Sequence, residues 1–125
     1  IITEKDIEEV FLEQGVELRL SDQVDSDLYL DVRKISFPLT LRRWQNGDKI
    51  QPLGMKGTQK ISDHLTNRKV STVNREKSLV LSDSDGTIYA IIFKGNDPGS
   101  GTISELCKAT DSTKRYLSIT IKKQA

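Results

Sequence analysis

The residue types that most often carry chemistry are scarce in this 125-residue chain, which has one cysteine, one histidine, one methionine and one tryptophan. The single Cys107 excludes an internal disulfide, fits a reducing compartment and reads as a buried, inert thiol. No stretch approaches the about eighteen apolar residues of a membrane span, and no signal-peptide pattern opens the chain. His64 has no His, Cys or acid cluster at ligand spacing beside it. It therefore reads as a helix-surface residue, neither base nor metal ligand. The glycine-rich runs Gly54-Met-Lys-Gly57 and Gly99-Ser-Gly101 lack the following Gly-Lys-Ser/Thr of a nucleotide phosphate loop. In Asp83-Ser-Asp-Gly86, aligning Gly86 with the glycine of a calcium loop puts Leu81 and Ile92 where carboxylates must sit. That segment is a hairpin turn. No nucleophile, base and oxyanion donors assemble, so a free-standing hydrolase finds no support and this chain alone is not expected to be catalytic.

What the sequence does have is charge, unevenly placed. The net charge is only +1. Residues 1–40 carry four bases and ten acids, whereas 41–125 carry fifteen bases and eight acids. Between Arg42 and Lys77 nine Lys or Arg stand against three acids, Asp48, Asp63 and Glu76. Such asymmetry points to an acidic leading segment, 1–36, and a basic body, 37–125, suited to polyanions. Trp44, Ile50, Leu53, Met55, Ile61 and Leu65 are interleaved with these cations, so the basic stretch belongs to a folded surface. The chain opens on Ile and runs straight into a helix-like pattern, which reads as a fragment of a longer cytoplasmic protein.

Local signals predict an α+β domain: a mainly antiparallel sheet or small sandwich of six to seven strands with two short helices. Thr3 and Asp6 form an imperfect capping box for a first helix, on which Ile7, Val10 and Phe11 follow helical spacing and which Gly15 ends. Strands are expected over Val16–Leu20, Leu28–Val32 and Phe37–Trp44, the last starting at an edge or a strand entry because Pro38 lacks a donor. Asn46-Gly47-Asp48 signals a tight turn. Thr58 can cap a second helix over Gln59–Asn67, with Ile61 and Leu65 inward and Lys60, His64 and Asn67 on a wetter face. A hairpin over Ser78–Phe93, a loop over Lys94–Thr102 and a strand over Tyr116–Ile121 complete the pattern. Its second hairpin strand, nearly continuous in apolar residues, should be the most buried.

Phosphate binding needs cations, donors and glycines that let backbone approach the anion. Arg42, Arg43, Lys49, Lys56, Lys60, Arg68 and Lys69 supply the charge, and Gly47, Asp48, Gly54 and Gly57 the turns. Trp44 could stack on a base, although a lone Trp after a strand more often anchors a core. The residues alone leave two readings open, a nucleic-acid surface and a packing module whose basic face is merely solvated.

In order and spacing, Arg42, Gly47-Asp48, Pro52-Leu-Gly-Met-Lys-Gly57 and Lys60-Ile-Ser-Asp63 resemble the C-terminal domain of tRNA(Ile)-lysidine synthetases. Lys69, the hairpin at Leu79–Ile91 and Thr110-x-x-Thr113-Lys114 also fit, so the likeness spans residues 37–121. Lys114 thereby joins the candidate contacts. The family usually ends its buried strand with Gly and Arg, and sets an Arg-Phe-like pair before the Thr-x-x-Thr segment. Here Ile92-Phe93 and the run Lys94–Lys108 stand instead.

The resemblance implies a parent enzyme that uses ATP to adenylate the wobble cytidine of an isoleucine tRNA and then joins lysine to it. ATP and Mg would be held by a preceding catalytic domain carrying a Ser-Gly-Gly-x-Asp-Ser loop. That loop is not in this chain, so no cofactor is expected here. The implied partners are isoleucine tRNA, at its acceptor stem, and the catalytic domain of the same chain, with no membrane. The alternative is a structural or homodimerisation module that binds no RNA.

Overall fold

The structure is a computed structural model and describes residues 1–7, 11–13, 15–24, 26, 28–70, 72–93 and 101–121. Among these, the strands are Phe11–Glu13 (β1), Val16–Ser21 (β2), Leu28–Asp31 (β3), Leu39–Arg43 (β4), Lys49–Ile50 (β5), Gln59–Lys60 (β6), Leu79–Asp83 (β7), Ile88–Ile92 (β8), Gly101–Ile103 (β9) and Tyr116–Ile121 (β10). Two α-helices, Ile61–Asn67 (α1) and Thr72–Lys77 (α2), lie between β6 and β7.

Every ladder among the described residues is antiparallel. One sheet runs β1-β2-β10-β3, a second β4-β7-β8-β9, and β5-β6 forms a separate ribbon. Alternation along β2 turns Val16, Leu18 and Leu20 inward, where they meet Leu30, Leu117 and Ile119 of their own sheet. Leu39, Leu41, Leu79, Leu81 and Ile92 of the second sheet close this core from the other side. The outer face of the second sheet is not wet. Val80, Ile88 and Ile91 pack there with Ile50, Ile61, Leu65 and Phe93 in a second core. The domain is therefore three layers, sheet on sheet on helix and ribbon, and β7 and β8 are buried throughout because they are sandwiched twice.

The mainly antiparallel α+β expectation holds, and the buried hairpin lies in the middle of the second sheet. β7 is as buried as β8, not less so. More strands form than sequence predicts because β1, β5, β6 and β9 are only two or three residues long, too short to show a period. The split at residue 36 does not separate two cores: β2 and β3 pair with β10, and Ile2 exchanges backbone bonds with Leu39 at 2.6 and 2.7 Å. Pro38 follows a cis peptide at the start of β4, which is an edge strand as expected.

The expected first helix is corrected. The capping box closes, with Thr3 N donating to Asp6 Oδ2 at 2.9 Å and Asp6 N to Thr3 Oγ1 at 3.3 Å, yet only a 3-10 turn follows over Lys5–Ile7. Phe11–Glu13 instead pairs with β2, and Gly15 at φ 77° serves that turn and not a helix end. The open edge of a six-residue strand out-competes a short helix that has little to dock on. The expected position of Val10 lies outside the described residues, as does the loop over 94–100. Gly101 and Thr102, assigned to that loop, belong to β9. Gly101 is required there, since a Cβ would clash with the Ile91 carbonyl oxygen. Thr58 caps nothing; Lys60 is the N-cap of α1 and makes no side-chain cap bond.

Candidate nucleic-acid interface

The basic stretch is laid out by the third layer. After β4, the chain turns at Gly47 (φ 96°) and passes through β5, the Gln51–Thr58 loop and β6 into α1. Arg42, at the edge of the second sheet, is held by Asp48 through Nη1–Oδ2 at 2.8 Å and Nη2–Oδ1 at 3.0 Å. Asp48 also accepts from Gln45 N at 2.7 Å. Burial acts to raise its carboxyl, but the Arg42 bonds, the Gln45 amide and the Arg42 charge outweigh this and hold it below the usual carboxylate range. The same bonds raise the Arg42 guanidinium against its own desolvation. Asp48 thus ties the Gln45 amide and the Arg42 guanidinium to one carboxylate. Arg42, one of the candidate contacts, places both arms of its fork on Asp48.

Lys49 and Lys60 are brought face to face. They are direct partners in the β5-β6 ladder, so their side chains share one face, and both are exposed. Ile50 beside them points into the second core. Asp48 precedes Lys49 but is committed to Arg42, and neither lysine makes an ion pair among the described residues. Directly opposed like charges are mutually unfavourable.

Lys56 is exposed on the loop between the two ribbon strands. That loop is pinned from a distance. Met55 N donates to Pro52 O at 3.1 Å, Gln51 Nε2 to Met55 O at 2.8 Å, and Gly54 N to Glu105 Oε1 at 2.7 Å. Glu105 N in turn donates to Gln51 O at 2.9 Å. Glu105 was not singled out from sequence, because a contact 51 residues away leaves no local signal. Gly54 sits at φ 79°, where glycine is favoured, but Gly57 has neither a positive φ nor a neighbour within 4 Å of a Cβ. Leu53 and Met55 are 46% and 45% exposed beside Lys56.

The end of α1 carries the next pair. Val70 N donates to Leu65 O at 3.1 Å and Lys69 N to Thr66 O at 3.0 Å, which is the Schellman closure, with Lys69 at φ 55° in the place usually given to glycine. Arg68 lies over the Phe93 ring, 5.3 Å from its centroid. Arg43 is exposed at the end of β4. Lys114 is exposed on the turn entering β10, so it belongs to the first sheet and not to the ribbon. Trp44 is an anchor and not a stacking platform: its indole nitrogen donates to Arg75 O, and the Arg75 guanidinium covers the ring at 5.9 Å. Arg75 also donates to Thr66 Oγ1 at 2.7 Å, tying α2 to α1. No element is expected from sequence over Thr72–Lys77, and Arg75 is not among the candidate contacts.

His64 corrects a second expectation. It is only 9% exposed, with Nδ1 3.0 Å from Gln59 Oε1 and Nε2 without a partner. Burial first, then the nearby Arg68 charge, push its pKa down. Cys107 is buried as expected, and desolvation pushes its thiol up to about 12. Asp83 closes the β7-β8 hairpin, accepting from Asp85 N, Thr87 N and the Tyr89 hydroxyl. Among the described residues no three His, Cys, Asp or Glu side chains converge as a metal site, and no helix is long and apolar enough to cross a membrane.

Comparison with known proteins bears on the same segment. The sequence model of the family described as "TilS substrate C-terminal domain" matches residues 39–96. A tRNA(Ile)-lysidine synthase of Parabacteroides distasonis is 37% identical over 89 residues, 71% of this chain and 18% of the relative. One from Clostridium perfringens is 34% identical over 110 residues, 85% of this chain and 21% of the relative. The chain thus spans about a fifth of the length of these relatives. In structure it resembles a crystallised TilS C-terminal domain, with a TM-score of 0.64 at 19% identity over 90% of this chain and 89% of that one. It also resembles an N-terminal fragment of the phenylalanyl-tRNA synthetase β-subunit from Pyrococcus horikoshii, with a TM-score of 0.56 at 20% identity over 82% of this chain and 27% of that one. At these identities the structural likeness concerns the fold.

Proposed function

We propose that this chain, whose residues 39–96 match the model of the TilS substrate C-terminal domain, is the tRNA-binding domain of a tRNA(Ile)-lysidine synthase. In this reading it grips the body of an isoleucine tRNA, at the acceptor stem, in the cytoplasm. A preceding catalytic domain, with ATP and Mg, joins lysine to the wobble cytidine. The observation that carries the reading is the trio Lys49, Lys56 and Lys60. These lysines are exposed and, among the described residues, without ion pairs, on a segment held in place by Asp48, Glu105 and the second core. A merely solvated surface does not need its cations on so fixed a platform.

Contacts to a stem go chiefly to phosphate and sugar, because the A-form major groove is too narrow for side chains. Binding should therefore weaken steeply with salt, through counterion release. Isoleucine tRNA binding by Lys56→Ala and Lys60→Ala, from low to moderate salt, tests this against Lys5→Ala in the acidic leading segment. Losses in the first two alone support the reading. Equal small losses in all three would move the alternative ahead. That alternative, a packing or dimerisation module, is favoured by one observation: Leu53, Met55 and Leu106 are 46%, 45% and 51% exposed.

A further inference from the structure

The β5-β6 ribbon is the smallest sheet of the domain, two residue pairs long, and its outer pair is Lys49 opposite Lys60. Its inner pair holds Ile50, 2% exposed, against Gln59. A cross-strand pair normally stabilises a ribbon; two ammonium groups on adjacent strands of one face oppose it. The acids within reach along the chain do not relieve them. Asp48 is bound to Arg42 and the Gln45 amide, and Asp63, in the first turn of α1, forms no ion pair with either lysine. The chain nevertheless runs straight from this ribbon into α1, with Ile61 N bonded to Asp48 O at 3.0 Å.

We propose that Lys49 and Lys60 act as a single clamp for adjacent phosphate groups of a polynucleotide backbone, and that their mutual repulsion is relieved only when the phosphates bind. The proposal rests on the RNA-binding reading for its ligand, but not for its mechanism. In the free domain the pair works against the ribbon. In the complex the bridging phosphates turn repulsion into two charge-assisted contacts and tighten β5 against β6. Binding and ribbon order are then coupled. The relief is gained once per clamp, so either lysine alone forfeits it.

The test is a cycle of Lys49→Gln, Lys60→Gln and the double variant in the full 125-residue chain. Melting temperature is followed without ligand, and affinity is measured for a duplex RNA and for inorganic tripolyphosphate. Each single variant should raise the melting temperature of the free domain by about 1–3 °C, the second substitution adding little. The wild type should gain more from added salt than the variants do, because salt screens the repulsion. Each single variant should weaken duplex binding about three- to tenfold and lower the magnitude of the salt slope by about 1. The double variant should lose less than the product of the two. Multiplicative losses, or single variants no more stable than wild type, overturn the clamp. A wild type that ignores duplex RNA yet binds tripolyphosphate through both lysines overturns the RNA reading and leaves the clamp standing. A wild type that binds neither overturns both.

Discussion

Arg42 and Asp48 meet fork to fork, guanidinium nitrogens 2.8 and 3.0 Å from the two carboxylate oxygens, and this pair fixes where the basic ribbon leaves the second sheet. Arg42 sits in β4, which is hydrogen-bonded to β7, and Asp48 stands one residue before β5. The contact therefore sets the angle at which Lys49 and Lys60 are offered.

Asp48→Ala should lower stability by about 1–2 kcal/mol, a melting temperature loss of about 3–6 °C, since it removes the acceptor for the Gln45 amide and for Arg42 together. Its pH dependence has a definite sign. The folded carboxyl is held below its ordinary 3.8, so the contribution is present above that value and fades as pH falls through the depressed one. Thermal melts of wild type and Asp48→Asn should converge in acid. A constant gap down to the acid limit would mean that the charge contributes nothing.

Lys69→Gly should stabilise the domain by about 1 kcal/mol, because Lys69 is held at φ 55° in the position where a Schellman closure favours glycine. Denaturant midpoints of the two chains measure this. If Lys69 touches RNA, the same variant gains stability and loses affinity. Unchanged affinity would confine Lys69 to its role at the negative end of the α1 dipole.

Gly101→Ala should cost about 2–4 kcal/mol, since the new methyl would clash with the Ile91 carbonyl across the β8-β9 ladder. Gly57→Ala, with open space and an ordinary φ, serves as the comparison and should stay within about 0.5 kcal/mol. Equal unfolding midpoints for the two variants would show that β9 does not approach β8 so closely.

How much of this was legible follows from range. Strands β2, β3, β4 and β10 and the β7-β8 hairpin were readable because alternation and turn residues are local signals. So was the role of Asp48, which acts on a turn three residues back. Residues 11–13 misled because their apolar spacing suits a helix, while the β2 edge that captures them is formed only in the fold. His64 misled for the same reason. Phe93, whose ring lies 6.1 Å from the imidazole, follows β8 and so comes from far along the chain, as do Val80, Ile88 and Ile91 of the second core. The face-to-face register of Lys49 and Lys60 spans an irregular loop, and no period in the sequence encodes it.

His64 gives the last prediction, and the composition makes it clean. It is the only histidine, so a change of stability between about pH 5 and 7 has one imidazole to report on. Burial and the Arg68 charge lower its pKa in the folded chain below the ordinary 6.5. The unfolded chain then takes up the proton first as pH falls. Stability should therefore be full above 6.5, decline through the window below it, and level off once the folded imidazole also protonates. His64→Phe removes both the titration and the unpartnered Nε2, and its ring can pack on Phe93. Denaturant unfolding at a series of pH values should show a slope for wild type and a flat line for His64→Phe across that window. An imidazole that titrates at or above 6.5 by NMR in the folded chain would contradict the burial that places it there.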